Sequence, residues 1–533
     1  MTPPSVDRHS APSTDGAAPA AHPARVNPWL TLAAVCFGLF MVSLDSSVVS
    51  IANPYISADL NASLSQLQWV TNSYLLALAA LLILGGKLGD RFGRRTFFLA
   101  GMAGFVLSSV AIGLVGSIGG VIAFRAAQGV FAALMMPNTL GLIRAVFAPR
   151  KFGMAVGLWA MVSSVSTALG PIVGGLLVER VGWEWVFYIN APIGLAGLVF
   201  GLRVLPRTKP AGGRERFDVT GVILLALGML ILVFGVVKGE TWGWGSAATL
   251  GCLALGLLVL AGFGLFEARR RHPLLPMRLF RNPSLTAGTI ITALNFFVLL
   301  GVIFLLMLYL QNVRGYSAVM TGVYTLPLSL ASIVAPPIGA KLTERFGPRL
   351  TMPLGMASQA VAAFSLLGAG TSSSYHSLWP GFVLLGLGVG LVMSASSEAV
   401  VGNAPVRDAG VAGGLQTTAL QLGGALGTSV LASILAGKAG ATLFGALTGA
   451  GTPAATAREL EGAVSAVAQG VAPVTAAMPQ ALKAAVIEGS HQAFVAGFHT
   501  ALTVTGVLCV AGAVAAALTV RRGQAPADVP AAH

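Results

Sequence analysis

Three ionisable side chains, Asp45, Arg125 and Glu398, interrupt long apolar stretches of a chain that otherwise keeps charge out of them. A charge placed in hydrocarbon costs at least about 2.5–3.5 kcal/mol on insertion scales, so each needs a partner or a wet cavity. Asp45 and Arg125 can supply each other. Asp45 stands about five residues before the end of its apolar run and Arg125 about seven after the start of its own. At about 1.5 Å per residue, both then lie roughly 8–11 Å below the same surface. A carboxylate and a guanidinium at equal depth can form a salt bridge, and protonating the acid frees the base to change partners. That is proton-switch chemistry; a static ion pair stapling two helices would leave the same trace in the sequence. Glu398, within "MSASSEAV", stands near the other surface. There it either lines a mouth that attracts cations or extends its head to water.

A second set of charges is denser. "GGKLGDRFGRRTFF" (85–98) carries Lys87, Asp90, Arg91, Arg94 and Arg95, and "GAKLTERFGPRL" (339–350) repeats it 254 residues later. Lys87, Leu88, Asp90, Arg91, Phe92, Gly93 and Arg95 fall on Lys341, Leu342, Glu344, Arg345, Phe346, Gly347 and Arg349. Arginines alone would anchor topology, but acidic residues contribute little to orientation, so an acid at the matching position asks for a separate role. Acids interact favourably with helix N-termini. The expected role is a cytoplasmic gate in which Gly86, Asp90, Arg91, Gly93, Arg94, Arg95, Glu344 and Arg345 latch two halves of the molecule together.

The elements that must position these residues are membrane-spanning helices. Of the 533 residues, 55% are hydrophobic and only 9% charged, against about 25% charged in soluble domains. Fourteen apolar spans are predicted, at about 29–50, 67–86, 96–117, 118–142, 154–178, 185–204, 219–238, 247–267, 284–310, 320–342, 351–370, 378–400, 408–436 and 491–520. Lys and Arg gather in alternate loops; of the short loops on the other side, only those holding Arg180, Lys238 and Arg314 carry any. This places both termini in the cytoplasm. Trp69, Trp183, Trp185, Trp242, Trp244 and Trp379 fall at outer boundaries, where amphipathic rings prefer to lie. The organisation is all-α and integral to the membrane. It comprises a disordered cytoplasmic tail (1–28), a six-helix bundle (29–204), two extra linking helices with inner loops (205–283), a second six-helix bundle (284–520) and a cytoplasmic tail (521–533). The second bundle contains a long extracellular loop at 437–490, in which "ELEGAVSAVAQ" has the makings of a short amphipathic helix.

The net charge of +14 follows from these loops, not from a basic patch, so no nucleic-acid partner is expected. Cys36, Cys252 and Cys509 lie inside apolar runs without paired or metal-ligand spacing, which predicts neither a disulfide nor a metal site. No G-x-x-x-x-G-K-[ST], H-E-x-x-H or G-x-S-x-G sequence is present, arguing against an ATP-driven pump, a metalloprotease or a serine hydrolase. Polar and aromatic residues within spans are candidates for lining a mostly apolar pocket. They are Asn72, Tyr74, Trp159, Asn190, Asn295, Tyr309, Gln311, Tyr324, Glu398, Gln416 and Gln421.

At these residues the sequence resembles the major facilitator superfamily, and within it the fourteen-span drug:proton antiporters. "GGKLGDRFGRR" is similar to the superfamily's loop signature, "VIAFRAAQGVFAA" (121–133) to its fourth-helix signature, and "SLDSSVVSIANP" (43–54) to the first-helix signature of drug exporters. "ALGPIVGGLL" (168–177) resembles the antiporter signature of the fifth helix, and "WEWVFYINAPIG", "RFDVTG", "YLQNVRGYS" and "AFVAGFHTA" resemble further pieces of that branch. Ser47, Asn53 and Glu184 depart from the pattern. The resemblance is greatest to antibiotic-resistance exporters of high-GC actinomycetes. It implies a major facilitator fold in the plasma membrane and a monomer that exports a bulky amphipathic drug or antibiotic by alternating access. The only energy source is the proton gradient, with no cofactor. It also implies that Gly170, Pro171, Gly174 and Gly175 make a tight, leak-proof helix contact. A proton-coupled nutrient importer on the same fold is the main alternative, and a non-transport receptor a weaker one.

Overall fold

The structure, a computed structural model, describes residues 27–520 except 63, 207–217, 244, 271–272, 274, 317, 406–407 and 476–477. The expected tails at 1–28 and 521–533, and Trp244, therefore lie outside the described residues or nearly so. The first half comprises α1 (Pro28–Leu60), α2 (Leu64–Phe92), α3 (Arg94–Leu114), α4 (Ile118–Val146), α5 (Pro149–Val181), a short turn α6 (Trp185–Tyr188) and α7 (Asn190–Val204). Two further helices follow, α8 (Val219–Trp242) and α9 (Ala247–Ala268). The second half holds α10 (Pro283–Leu308), α11 (Ala318–Phe346), α12 (Pro348–Ser365), α13 (Trp379–Ser397), α14 (Ala409–Gly449), the short α15 (Ala454–Glu459) and α16 (Val464–Ala468), and α17 (Gln480–Thr519). Turns of π-helix, Tyr309–Val313 and Glu398–Gly402, extend α10 and α13.

Among the described residues, twelve helices are long and apolar enough to cross a membrane. The sequence predicted fourteen crossings. The two long helices outside that twelve are α5 and α8, the latter contributing only a shorter apolar stretch, Thr220–Val236. The outward faces of these helices carry exposed leucines such as Leu107, Leu258 and Leu518, a surface suited to hydrocarbon.

Two large apolar clusters form the interior. One is built around Phe98, Met102, Phe105 and Met135 and continues into Val400, Val401, Val411 and Ala412 of the second half, and the other, around Phe382, Phe494, Phe498 and Leu431, lies within the second half. The duplicated loop reappears as a duplicated turn. Gly93, between α2 and α3, has φ 109°, and Gly347, between α11 and α12, has φ 80°, a left-handed region that favours glycine. The preceding pairs match as well: Arg91 lies over the Phe92 ring and Arg345 over Phe346, each 5.2 Å from the centroid.

Helix α8 packs against both α2 and α14, and α9 chiefly against α8. The buried stripe Leu225, Met229 and Val233 joins α8 to the first-half core. Helices α14 and α17 have 41 and 40 residues, about 60 Å at 1.5 Å per residue, twice the thickness of a hydrocarbon core. Both therefore run well past the ends predicted at 436 and 491. Their projecting turns, with α15 and α16, enclose a small core of Leu443, Leu447, Ala457, Val467, Val486 and Ala493. This packing explains why the segment expected as a loop is largely helical.

Candidate functional site

Asp45 on α1 and Arg125 on α4 meet. Arg125 Nη1 donates to Asp45 Oδ2 at 2.7 Å, and each residue is 1% exposed. Three further helices complete the site. Gln128, one turn along α4, accepts from Arg125 Nη1 at 2.6 Å and donates through Nε2 to Asp45 Oδ1 at 3.1 Å and to Ser109 of α3 at 3.0 Å. Asn190, at the start of α7, donates to Asp45 Oδ1 at 2.9 Å and to Ser109 Oγ at 2.8 Å. Ser109 in turn donates to the Phe187 carbonyl. Arg125 Nε donates to the Val70 carbonyl of α2 at 3.2 Å, and its guanidinium lies 4.4 Å from the Tyr74 ring centroid. Asp45 is thus held by three donors, as a buried charge requires. Asn190 Oδ1 is buried without a partner.

Tyr74 and Asn190, expected to line a pocket, instead belong to this buried network. Gln128 and Ser109 were missed by sequence reasoning. Gln128 could have been found, because residues three apart share a helix face; nothing in the sequence marks Ser109.

From α1 the site connects to α5. Ser43 and Ser163 share a hydrogen bond of 3.0 Å, and Ser47 Oγ donates to the Thr167 carbonyl at 2.9 Å. A Cβ added at Gly170 would collide with the Ser47 side chain, and one at Gly174 would lie 3.0 Å from Val48 Cγ1. Gly175 does not fit the expected contact, for a Cβ there would meet nothing within 4 Å. The Pro171 side chain lies outside the described residues.

The charged loop at 85–95 lies at one end of the bundle, here termed the basic face, and there the halves touch. Asp90 Oδ1 accepts from the Gly410 N–H and Oδ2 from the Val411 N–H, each at 3.0 Å, at the N-terminus of α14. Arg94 Nε reaches Asp90 Oδ1 at 2.7 Å while Nη1 donates to the Gly141 carbonyl. Arg95 donates to the Leu202 carbonyl at the end of α7, and Lys87 to the Pro273 carbonyl beyond α9. A Cβ at Gly86 would run into the Gly410 carbonyl, and one at Gly157 of α5 would come 2.8 Å from the Pro336 oxygen of α11. Glycines are what let these backbones approach. In the second copy Glu344 and Arg345 are exposed, whereas Asp90 and Arg94 are buried, so the two loops are alike in turn geometry and unlike in burial.

The remaining pocket candidates divide. Trp159 is buried with its indole N–H unpartnered, and Gln416 donates to Ser397 Oγ at 2.6 Å while its Oε1 has no partner. Each lies within a turn of the contacts between the halves. Asn295 accepts from Gln359 inside the second half. Tyr309 donates to the Gly370 carbonyl and stacks on Phe498. Tyr324 stacks on Tyr375 with centroids 4.2 Å apart. Asn72 and Gln421 are half-buried and Gln311 exposed. Glu398 is half-buried beside α5, where a Cβ at Gly153 would lie 3.4 Å from its Oε2. The described residues contain no cluster of metal-ligating side chains.

A sequence model of the Major Facilitator Superfamily matches residues 35–428. The chain is 45% identical to the tetracenomycin C resistance and export protein of Streptomyces glaucescens, over 99% of this chain and 98% of that protein. It is 32% identical to the multidrug efflux pump LfrA of Mycolicibacterium smegmatis, over 93% and 96% of the two chains. The fold resembles that of the human organic anion transporter MFSD10, with TM-score 0.62, 14% identity and coverage of 92% of this chain and 99% of the other.

Proposed function

The chain belongs to the major facilitator superfamily, and from that premise we propose that it is a proton-coupled antiporter exporting a bulky amphipathic drug or antibiotic by alternating access. The similarity to export and resistance proteins along nearly the whole chain supports export. The Lys and Arg distribution supports a plasma-membrane orientation with both termini, and hence the basic face, in the cytoplasm. On that orientation the contacts of Asp90 with α14 and of α5 with α11 are those of a carrier closed to the cytoplasm.

One observation carries the coupling: a carboxylate and a guanidinium, sealed from water, held across α1 and α4 at 2.7 Å. Protonating Asp45 removes the charge that Arg125, Gln128 and Asn190 all address. Helix α1 is then released from α4 and α7, while its other face still grips α5 through Ser43, Ser47 and Gly170. Since α5 abuts α11 at Gly157, a shift of α1 reaches the seam between the halves. The unpartnered Trp159 N–H and Gln416 Oε1 offer a donor from one half and an acceptor from the other. An unsatisfied buried group costs about 1–3 kcal/mol, which a substrate with matching polar atoms would relieve.

The test is proton-driven uptake of a fluorescent dye into inverted vesicles carrying Asp45→Asn. The asparagine keeps the shape and removes the titration, so uptake should lose its dependence on the imposed pH gradient and fall at least tenfold. Undiminished, gradient-driven uptake would rule out Asp45 as the coupling carboxylate.

A further inference from the structure

The connection between α13 and α14 is held from both of its ends by the first half. Asp90 takes the two N–H groups at the start of α14. At the other end, Arg144 of α4 donates from Nη2 to the carbonyl of Gly402 at 3.0 Å, the last residue of the π-helical turn that closes α13. Arg144 is buried, its guanidinium lies 5.5 Å from the centroid of the Phe152 ring of α5, and its Nε has no partner. Glu398 opens the same turn. Asn403 Nδ2 donates back to the Ala399 carbonyl at 3.2 Å and braces the turn.

Helix C-termini present unsatisfied carbonyls and negative partial charge, and N-termini the reverse. An acid on one end and a base on the other, both from the first half, therefore grip a single connection of the second half with the favourable sign at each point. This buried arginine thus donates across to a backbone carbonyl of the opposite half.

We propose that Arg144 is a gate residue, the basic arm of a two-point clamp whose acidic arm is Asp90. Opening the cytoplasmic side breaks both arms. The proposal rests on the transport reading, but its test needs no transport: a failed clamp leaves the efflux reading standing, and failed efflux leaves the clamp measurable.

The experiment places a reporter, Leu140→Cys, at the seam between α4 and α14 in a chain lacking Cys36, Cys252 and Cys509, and follows its labelling by a membrane-impermeant maleimide in inside-out vesicles. Arg144→Gln should raise the labelling rate about tenfold, the loss expected of one charge-assisted hydrogen bond. Arg144→Lys, which keeps the charge and a donor, should fall between Arg144→Gln and the parent. Combining Arg144→Gln with Asp90→Asn should exceed either alone. Labelling equal to the parent in Arg144→Gln, at normal membrane levels of the chain, would overturn the proposal. So would an equal rise from the opposite side in right-side-out vesicles, which would mean general loosening and not a gate.

Discussion

At the scale of single residues, the acid at position 90 explains the duplicated loop better than its arginines do. Its two carboxylate oxygens accept two backbone N–H groups of α14 as well as Arg94, and hydrogen bonds to charged groups contribute about 1.5–3 kcal/mol each. Asp90→Asn keeps one acceptor and loses the charge that favours a helix N-terminus. Cytoplasmic labelling of a cysteine at the seam should therefore rise several-fold with the chain still inserted at normal levels. Accessibility identical to the parent would remove Asp90 from the gate. How much of this was legible varies with the kind of residue. Asp45 and Arg125 announced themselves because charge in an apolar run is rare and depth follows from helical rise. Asn190 and Tyr74 were visible but misassigned, since polar residues inside spans carry no sign of which way they face. The difference between Asp90, which is buried, and Glu344, which is exposed, was invisible: matching loops imply matching turns, and only the packing of the two halves decides which acid is covered.

At the scale of helices, the contact of α1 with α5 can be tested by two glycines five residues apart. Gly170 has no room for a side chain beside Ser47, whereas Gly175 faces open space. Gly170→Leu forces α1 and α5 apart at an overpacking cost of about 1–3 kcal/mol, a factor of up to about a hundred in a conformational equilibrium. Vesicle uptake should drop at least tenfold, while Gly175→Leu should stay within about twofold of the parent. Equal loss in both would mean that the motif serves insertion or folding and not this contact. The same fifth-helix motif shows where reading helices from sequence stops. Apolar runs located the helices, and positive-φ glycines such as Gly93 fixed where α2 gives way to α3. Hydropathy could not foresee that α14 and α17 run on beyond the membrane, because the projecting turns are held by Leu443, Leu447 and Val486 packing against one another. That contact joins residues about forty apart in the chain.

At the scale of the whole molecule, the question is whether the two bundles separate at the basic face during turnover. Their described contacts there run along α2 and α4 with α14 and along α5 with α11 and α13, two seams, so separation must break both together. Gly153 and Ala340 give a way to prevent it. A Cβ at Gly153 would lie 3.8 Å from the Ala340 Cβ without clashing with any neighbour, within the spacing that disulfides adopt. In a chain stripped of Cys36, Cys252 and Cys509, the pair Gly153→Cys and Ala340→Cys should cross-link on mild oxidation. Transport should stop when it does and return on reduction, because a bond across the second seam pins the first. Each single cysteine variant should transport under oxidising conditions, which separates locking from damage. Oxidised, cross-linked protein that still carries substrate at the parent rate would mean that the halves pivot without parting here. The Asp45 switch would then have to act through some movement other than the opening of this face.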